Sequence, residues 1–330
     1  MVLTKTKKYL VLIAIDLLVS AYIWYVNGVI FNNRFEVCLI LSTTTFLIIY
    51  VPFEIYWSFR DIWVDRWTTL YSKDLDIIRK DIKLKDGVIS ADLIMSKNEG
   101  LIQSKNTIII VCQGFSDTKK SLQYFYYPLA YQGHVILTYD ARGIGESKSI
   151  GHRADFLARI EDFKSIVNWV MHDNKELGHL QIYAAGISIG ALTALCGGFT
   201  KKEISKILAI SSIANYRKSV SRANLVVKFS YLMKGVDLYP EEELNKKISP
   251  YFIFKEAKKN TTPEEWKELR ERIFLIHAKN DKIVKFFNFE DNLSMLELPK
   301  SNYLVLNKGG HMLKKNEMSL VGTALRFFNS

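Results

Sequence analysis

The segment Gly186-Ile187-Ser188-Ile189-Gly190 sets a serine hydroxyl between two glycines, after an apolar run ending near Ala184 and before the helical run Ala191-Leu192-Thr193-Ala194-Leu195. A serine on a sharp strand-to-helix turn takes a strained backbone and presents its hydroxyl above a sheet, and the elbow glycines Gly186 and Gly190 remove the clashes this creates. The five letters alone also describe a turn or a helix-packing site; the strand-to-helix context carries the reading. An alcohol is a poor nucleophile at neutral pH and needs a base. Of six histidines, His311 follows Asn307-Lys308-Gly309-Gly310 just past the last apolar run. His134 and His179 stand where runs begin, His277 near the end of one, and His152 and His172 flank a helical segment. A third group must hold the base in one tautomer, and Asp281, just past the run Ile273 to His277, is placed for that. A surface-turn aspartate is the plainer reading of Asp281, and a structural histidine that of His311. A tetrahedral oxyanion would also need two backbone N–H donors. Ile189, at the helix start, and Phe115, on the loop Gln113-Gly114-Phe115-Ser116-Asp117, are the expected pair.

These residues must be carried by a sheet. Thr107 to Cys112, His134 to Tyr139, Leu180 to Ala184, Ile207 to Ser211, Ile273 to His277 and Tyr303 to Leu306 are short, continuously apolar runs of the kind buried on both faces. Helical spacing over 154–170 and 189–199 separates them, so a mostly parallel sheet covered by helices on both sides is expected, an α/β fold. Asp86-Gly87 within the alternating stretch Ile82 to Met95 predicts a hairpin with positive φ in its turn. The stretch 213–270 breaks the rhythm and reads as a helical cap, with Leu225, Phe229, Leu232, Met233 and Val236 on one helix face. Ordinary packing against the core explains that face as well as substrate or lipid contact does.

Ahead of this domain lie two apolar runs, 9–31, interrupted by Asp16, and 37–53, each about long enough to cross a membrane. They read as a transmembrane helical hairpin, an anchor over 1–60, with 61–80 as an interfacial linker carrying Trp63 and Trp67, and Trp57 just before it. The globular domain is expected over 81–330. A cleavable signal peptide is the rival for the first run, but Asp16 interrupts its apolar region. Ser42 or Thr43 to Thr45 are the expected partners of Asp16. Lys5, Lys7 and Lys8 precede the first run and Arg34 alone is basic in the following loop, so both ends, and the catalytic domain, are expected in the cytoplasm. Cys38, Cys112 and Cys196 form no ligand pattern, so no metal, cofactor or disulfide scaffold is expected. The net charge of +11 suits a protein near anionic lipid. No finger or RNA-binding signature accompanies it, so nucleic acid is not an expected partner.

Ser188, Asp281 and His311 follow strands in the order Ser, Asp, His, which the α/β-hydrolase topology requires. With Asp140-Ala141-Arg142-Gly143-Ile144-Gly145-Glu146-Ser147, similar to a D-x-R-G-x-G-x-S loop, and with Ser249-Pro250 at the cap's end, the chain from about Ile82 onward resembles the α/β-hydrolase superfamily. Within it the likeness is to the serine-aminopeptidase-like and monoglyceride-lipase-like branch, including membrane-anchored members. Gln113 departs from the histidine usual before the oxyanion glycine. The resemblance implies a serine hydrolase with an acyl-enzyme intermediate, and a carboxylic ester, lipid or acylated substrate presented at a lipid bilayer is the favoured reading. A peptidase or acyltransferase would use the same triad, and a non-catalytic membrane scaffold is the reading from another class.

Overall fold

A computed structural model describes residues 5–63, 72–174 and 176–330, with side chains described over 10–55, 72–174 and 176–330. Trp57, Trp63, Trp67 and the lysines at 5, 7 and 8 lie outside the described side chains. The chain divides into two units, Met1–Thr68 and Thr69–Ser330.

The first unit is a helical hairpin. Helix α1, Lys5–Tyr25, runs on through a π-helical turn at Val26–Ile30, and α2 spans Phe35–Trp63. Asn27 and Asn33 bond to each other across the turn. Leu10–Ile30 and Phe35–Ile55 are long and apolar enough to cross a membrane, a property that a signal sequence shares. Asp16, Ser20 and Cys38 are buried within the hairpin. The expected bond from Ser42 to Asp16 is not made: Ser42 donates to the Ser20 carbonyl at 3.0 Å and Thr45 to Leu41 of its own helix, and both Asp16 oxygens lack a partner among the described residues. A hydroxyl in a helix finds a carbonyl four residues back, or a close one across the seam, more readily than a distant carboxylate.

The second unit is an eight-stranded sheet. Its strands are β1 Leu75–Leu84, β2 Gly87–Ser96, β3 Thr107–Cys112, β4 Val135–Tyr139, β5 Gln181–Ile187, β6 Ile204–Ile210, β7 Ile273–Ala278 and β8 Tyr303–Leu306. They lie in the order β1-β2-β4-β3-β5-β6-β7-β8, antiparallel at β1–β2 and β2–β4 and parallel from β4 to β8. The helices are α3 Glu99–Lys105, α4 Gln123–Tyr131, α5 Phe156–Asn168, α6 Ile189–Gly198, α7 Tyr216–Ser221, α8 Leu225–Leu232, α9 Glu242–Lys247, α10 Pro250–Asn260, α11 Pro263–Glu271, α12 Phe287–Leu296 and α13 Glu317–Asn329. Helix α4 packs on α13, while α5 and α10 pack on α6. Strand β3 explains why both faces are covered. Ile108, Ile110 and Cys112 join Phe163, Ile166, Ala194 and Leu195 in one apolar cluster, and the alternate residues Ile109 and Val111 are equally buried outside it. The chain leaves β3 first to one side and returns as β5 on the other, so a crevice opens at the carboxyl ends of this pair.

Three sequence expectations change. Strand β1 begins at Leu75, inside the stretch expected as linker, and the hairpin pairs Leu84 with Gly87 so that Lys85-Asp86 is the turn, with neither residue at positive φ. Gly87 is instead required by packing: a Cβ there would press on Ile150. The expected cap is shorter, because Phe254 of α10 and Trp266 of α11 join the core beneath the sheet, leaving α7 to α9 as the cap. The apolar face of α8, for which core packing and outside contact stood open, does not pack on the core. Leu225, Val226, Phe229, Leu232 and Met233 are 59–82% exposed, while Val236 is buried. Helical period marks a face as apolar but does not say what covers it.

Helix α6 crosses so close to β3 that no side chain fits at two positions. A Cβ on Gly190 would collide with the Cys112 and Gln113 carbonyls, and one on Gly186 with the Gly190 backbone. Backbone cannot swing aside as a side chain can, and overpacking costs about 1–3 kcal/mol. Gly190→Ala is therefore expected to lower the thermal midpoint by several degrees, read by calorimetry. Gly322→Ala, on α13 with open space around the new methyl, is expected to be neutral or stabilising. Equal melting of both variants would remove the close-approach account.

Candidate active site

Ser188 sits between β5 and α6 with φ 57° and ψ −119°. A non-glycine residue at positive φ is strained, and hydrogen bonds hold it there. Its N–H donates to the Ile210 carbonyl at 2.8 Å, and its carbonyl accepts from Leu192 N at 3.1 Å as the first bond of α6. Ser188 is 7% exposed, and its hydroxyl makes no hydrogen bond among the described residues, so none joins it to His311.

The neighbouring residue after β6 reaches His311. Ser211, also at positive φ, donates through Oγ to the His311 carbonyl at 3.0 Å. Residues 210 and 211 thus hold Ser188 and His311 from one strand end. Gly310 N donates to Asn280 Oδ1 at 2.8 Å, tying the His311 loop to the loop that follows β7. That loop carries Asp281, whose Oδ2 lies 2.8 Å from His311 Nδ1 and whose Oδ1 accepts from Ile283 N and Val284 N at 2.8 and 3.0 Å. Burial alone would raise the Asp281 carboxyl, but the His311 charge beside it and the hydrogen bonds from His277 and His311 outweigh burial and hold it well below the usual carboxylate range. An ionised Asp281 requires the proton of neutral His311 to sit on Nδ1, which leaves Nε2 as the acceptor.

His277 is a partner that sequence reasoning passed over. It is 1% exposed, and its Nε2 donates to the Val284 carbonyl at 2.8 Å and lies 3.4 Å from Asp281 Oδ2. It braces the turn that carries the acid. The only signal for it in the sequence was a histidine four residues before that acid on a strand end.

Phe115 and Ile189 flank the crevice between β3 and β5. Both are buried, and neither N–H donates to an acceptor among the described residues. Ile189 N is one of the free donors at the start of α6. The Phe115 ring meets Phe156 of α5 at 5.6 Å and Tyr231 of the cap at 5.8 Å between centroids. Burial, together with the Asp281 charge, pushes the Tyr231 phenol up to about 12. Lys234 reaches Ser116 Oγ at 3.4 Å. Gln113, where histidine was expected, turns its side chain to Thr138 Oγ1 of β4 at 2.6 Å. In the loop after β4, Arg142 forms a bidentate pair with Asp162 of α5, and Lys119 bonds Glu146 and Asp92.

A family model described as serine aminopeptidase, S33, matches residues 103–261, a span that holds Phe115 and Ser188 and ends before Asp281 and His311. An esterase from Pyrococcus furiosus is similar in structure with a TM-score of 0.56 at 18% identity, over 80% of this chain and 95% of its own. An acylaminoacyl peptidase from Pyrococcus horikoshii gives 0.55 at 16%, over 78% of this chain and 40% of its own. A dienelactone hydrolase from Anabaena variabilis gives 0.52 at 14%, over 78% and 98%. At these identities the likeness is one of fold. No curated protein matches the sequence significantly. Strand order, the strained serine between β5 and α6 and the family model over residues 103–261 agree, and the chain has the α/β-hydrolase fold.

Proposed function

We propose that this hydrolase cleaves carboxylic esters of apolar, acylated substrates at a membrane, with Ser188 as nucleophile, His311 as base and Asp281 as the group that orients it. The carrying observation is the single strand end at 210–211 that holds both the strained Ser188 and the His311 paired to ionised Asp281. As Ser188 Oγ bonds to the ester carbonyl carbon, its proton passes to His311 Nε2, and the carbonyl electron pair moves to the oxygen. The Phe115 and Ile189 N–H groups receive that charge. Collapse breaks the bond to the alcohol, which leaves with the proton from His311. Water, deprotonated by the same nitrogen, then releases the acid and restores Ser188. The missing Ser188 to His311 bond suits a free site, where such bonds are often long until substrate arrives.

The name of the family model favours amide cleavage as a second reading, separated by comparing an ester and an amide of one acyl group. Two further features support the membrane setting. The hairpin supplies two apolar helices of spanning length. The α8 face is apolar and exposed, and between Tyr216 and Val236 the cap carries Arg217, Lys218, Arg222, Lys228 and Lys234 without one acid.

Ser188→Ala and His311→Ala are each expected to lower turnover of a soluble ester by about 10⁴-fold or more, and the double variant no further, because these groups act as a unit. Loss limited to a few-fold in Ser188→Ala would overturn the nucleophile, and absence of turnover in the unsubstituted chain would favour a scaffold. Tags at both ends of the full chain should resist protease outside sealed cells, as the lysine bias requires. Digestion of the C-terminal tag in intact cells would reject the cytoplasmic placement.

A further inference from the structure

A buried guanidinium near the site, that of Arg159, is not used by the chemistry above. It lies in the first turn of α5, whose start is set by Asp155 accepting from Ala158 N at 2.9 Å, and it is 3% exposed. Its Nη2 donates to the carbonyls of Gln113 at 2.9 Å and Gly114 at 3.3 Å. Nε and Nη1 have no partner, and no carboxylate lies within ion-pair distance, among the described residues. Asp162, three residues on along the same helix, is engaged by Arg142. A buried guanidinium left partly unsatisfied is expensive, and an apolar side chain would seal the space under the loop at lower cost. The loop that receives its hydrogen bonds therefore indicates what the charge does there.

The Gly114 carbonyl and the Phe115 N–H belong to one peptide plane, and in a trans peptide they point in opposite directions. Holding the carbonyl from the α5 side turns the N–H away from α5. A charged donor on the carbonyl also polarises the amide and strengthens the N–H as a donor. Phe156, in the same helical turn, packs against the Phe115 ring, so α5 holds both the side chain and the peptide plane of Phe115.

We propose that Arg159 is a positioning residue for the oxyanion: it fixes the Gly114–Phe115 peptide so that the Phe115 N–H meets the oxygen that becomes charged when Ser188 attacks. This rests on the reading of Ser188 and Phe115 given above. Its action is confined to the transition state, because the ground-state carbonyl carries little charge, so kcat changes and KM does not.

The full chain in detergent, with Arg159→Gln and Arg159→Lys, tests this through ester turnover and through the affinity of a trifluoromethyl ketone. The ketone's adduct on a serine carries an oxyanion; the matching methyl ketone forms no stable adduct and reports ground-state binding. Arg159→Gln is expected to lower kcat by about 100-fold, the scale of losing one oxyanion donor, and to weaken the trifluoromethyl ketone by the same factor, with KM and methyl ketone binding within about twofold. Arg159→Lys keeps the charge on a shorter stem and should lose about tenfold in both quantities, an intermediate value expected of a point donor in place of a planar fork. A merely structural role would lower the folded fraction and leave kcat per folded molecule and the ketone affinity unchanged, and that result in either variant overturns the proposal. If Arg159→Gln does not fold, Arg159→Lys decides by the same comparison. An unsubstituted chain that neither turns over esters nor binds the ketone would reject the reading of Ser188, and this proposal with it; turnover that both variants leave intact rejects Arg159 alone.

Discussion

The arrangement of the site depends on one close approach, the crossing of α6 over the carboxyl end of β3. With no side chain on Gly190, the start of the helix sits against the Cys112 and Gln113 carbonyls. This brings the loop after β3 and the turn after β5 together, and with them the Phe115 and Ile189 N–H groups. The same crossing forces Ser188 to φ 57°, a conformation that costs of order 1–3 kcal/mol and survives only where surrounding contacts impose it. Those contacts are the Ile210 carbonyl on one side and the first hydrogen bond of α6 on the other.

Charged groups brace the loops around this crossing. Helix α5 supports two of them, the loop after β3 through Arg159 and the loop after β4 through the Arg142–Asp162 pair. Burying ions seldom adds net stability; a bidentate fork instead restricts the geometry its partners can adopt. Lys119 acts similarly for the loop after β4. Burial would pull its ammonium down, but the hydrogen bonds it donates to Glu146 and Asp92 outweigh this and raise it, and its backbone N–H donates to Asp140 at 2.7 Å. On the other side of Ser188, His277 and two backbone N–H groups hold Asp281, and Asn280 holds Gly310. The strained turn is thus supported from both directions, and the apolar cluster of Phe115, Ile189, Leu192, Tyr216 and Tyr231 closes over it beneath the cap.

Much of this was legible in the sequence, and the part that was not has a physical pattern. Apolar runs such as Thr107 to Cys112 announce buried strands because both faces must be covered, and glycines flanking Ser188 announce an elbow because they stand between such a run and a helical one. Asp281 and His311 were readable from their places after strands, and the structure brings them within 2.8 Å. Residues that act by bonding to distant backbone left no local sign. Arg159 looks like any basic residue on an amphipathic helix, and its partners lie 45 and 46 residues away. Asp86-Gly87 misled because a glycine needed for contact with Ile150 resembles one needed for a turn. The α8 face stayed open in the sequence because helical period marks a face as apolar without saying what covers it.

The central claim is that Ser188 is a nucleophile activated by His311. Its most direct measurement is mass-spectrometric mapping of the adduct formed when the full chain in detergent is treated with a fluorophosphonate, a reagent that bonds covalently to an activated serine. The account predicts one stoichiometric adduct, on the peptide containing Ser188, and no adduct there when His311 is replaced by alanine. An adduct on another serine, or labelling of Ser188 at an undiminished rate without His311, would contradict it.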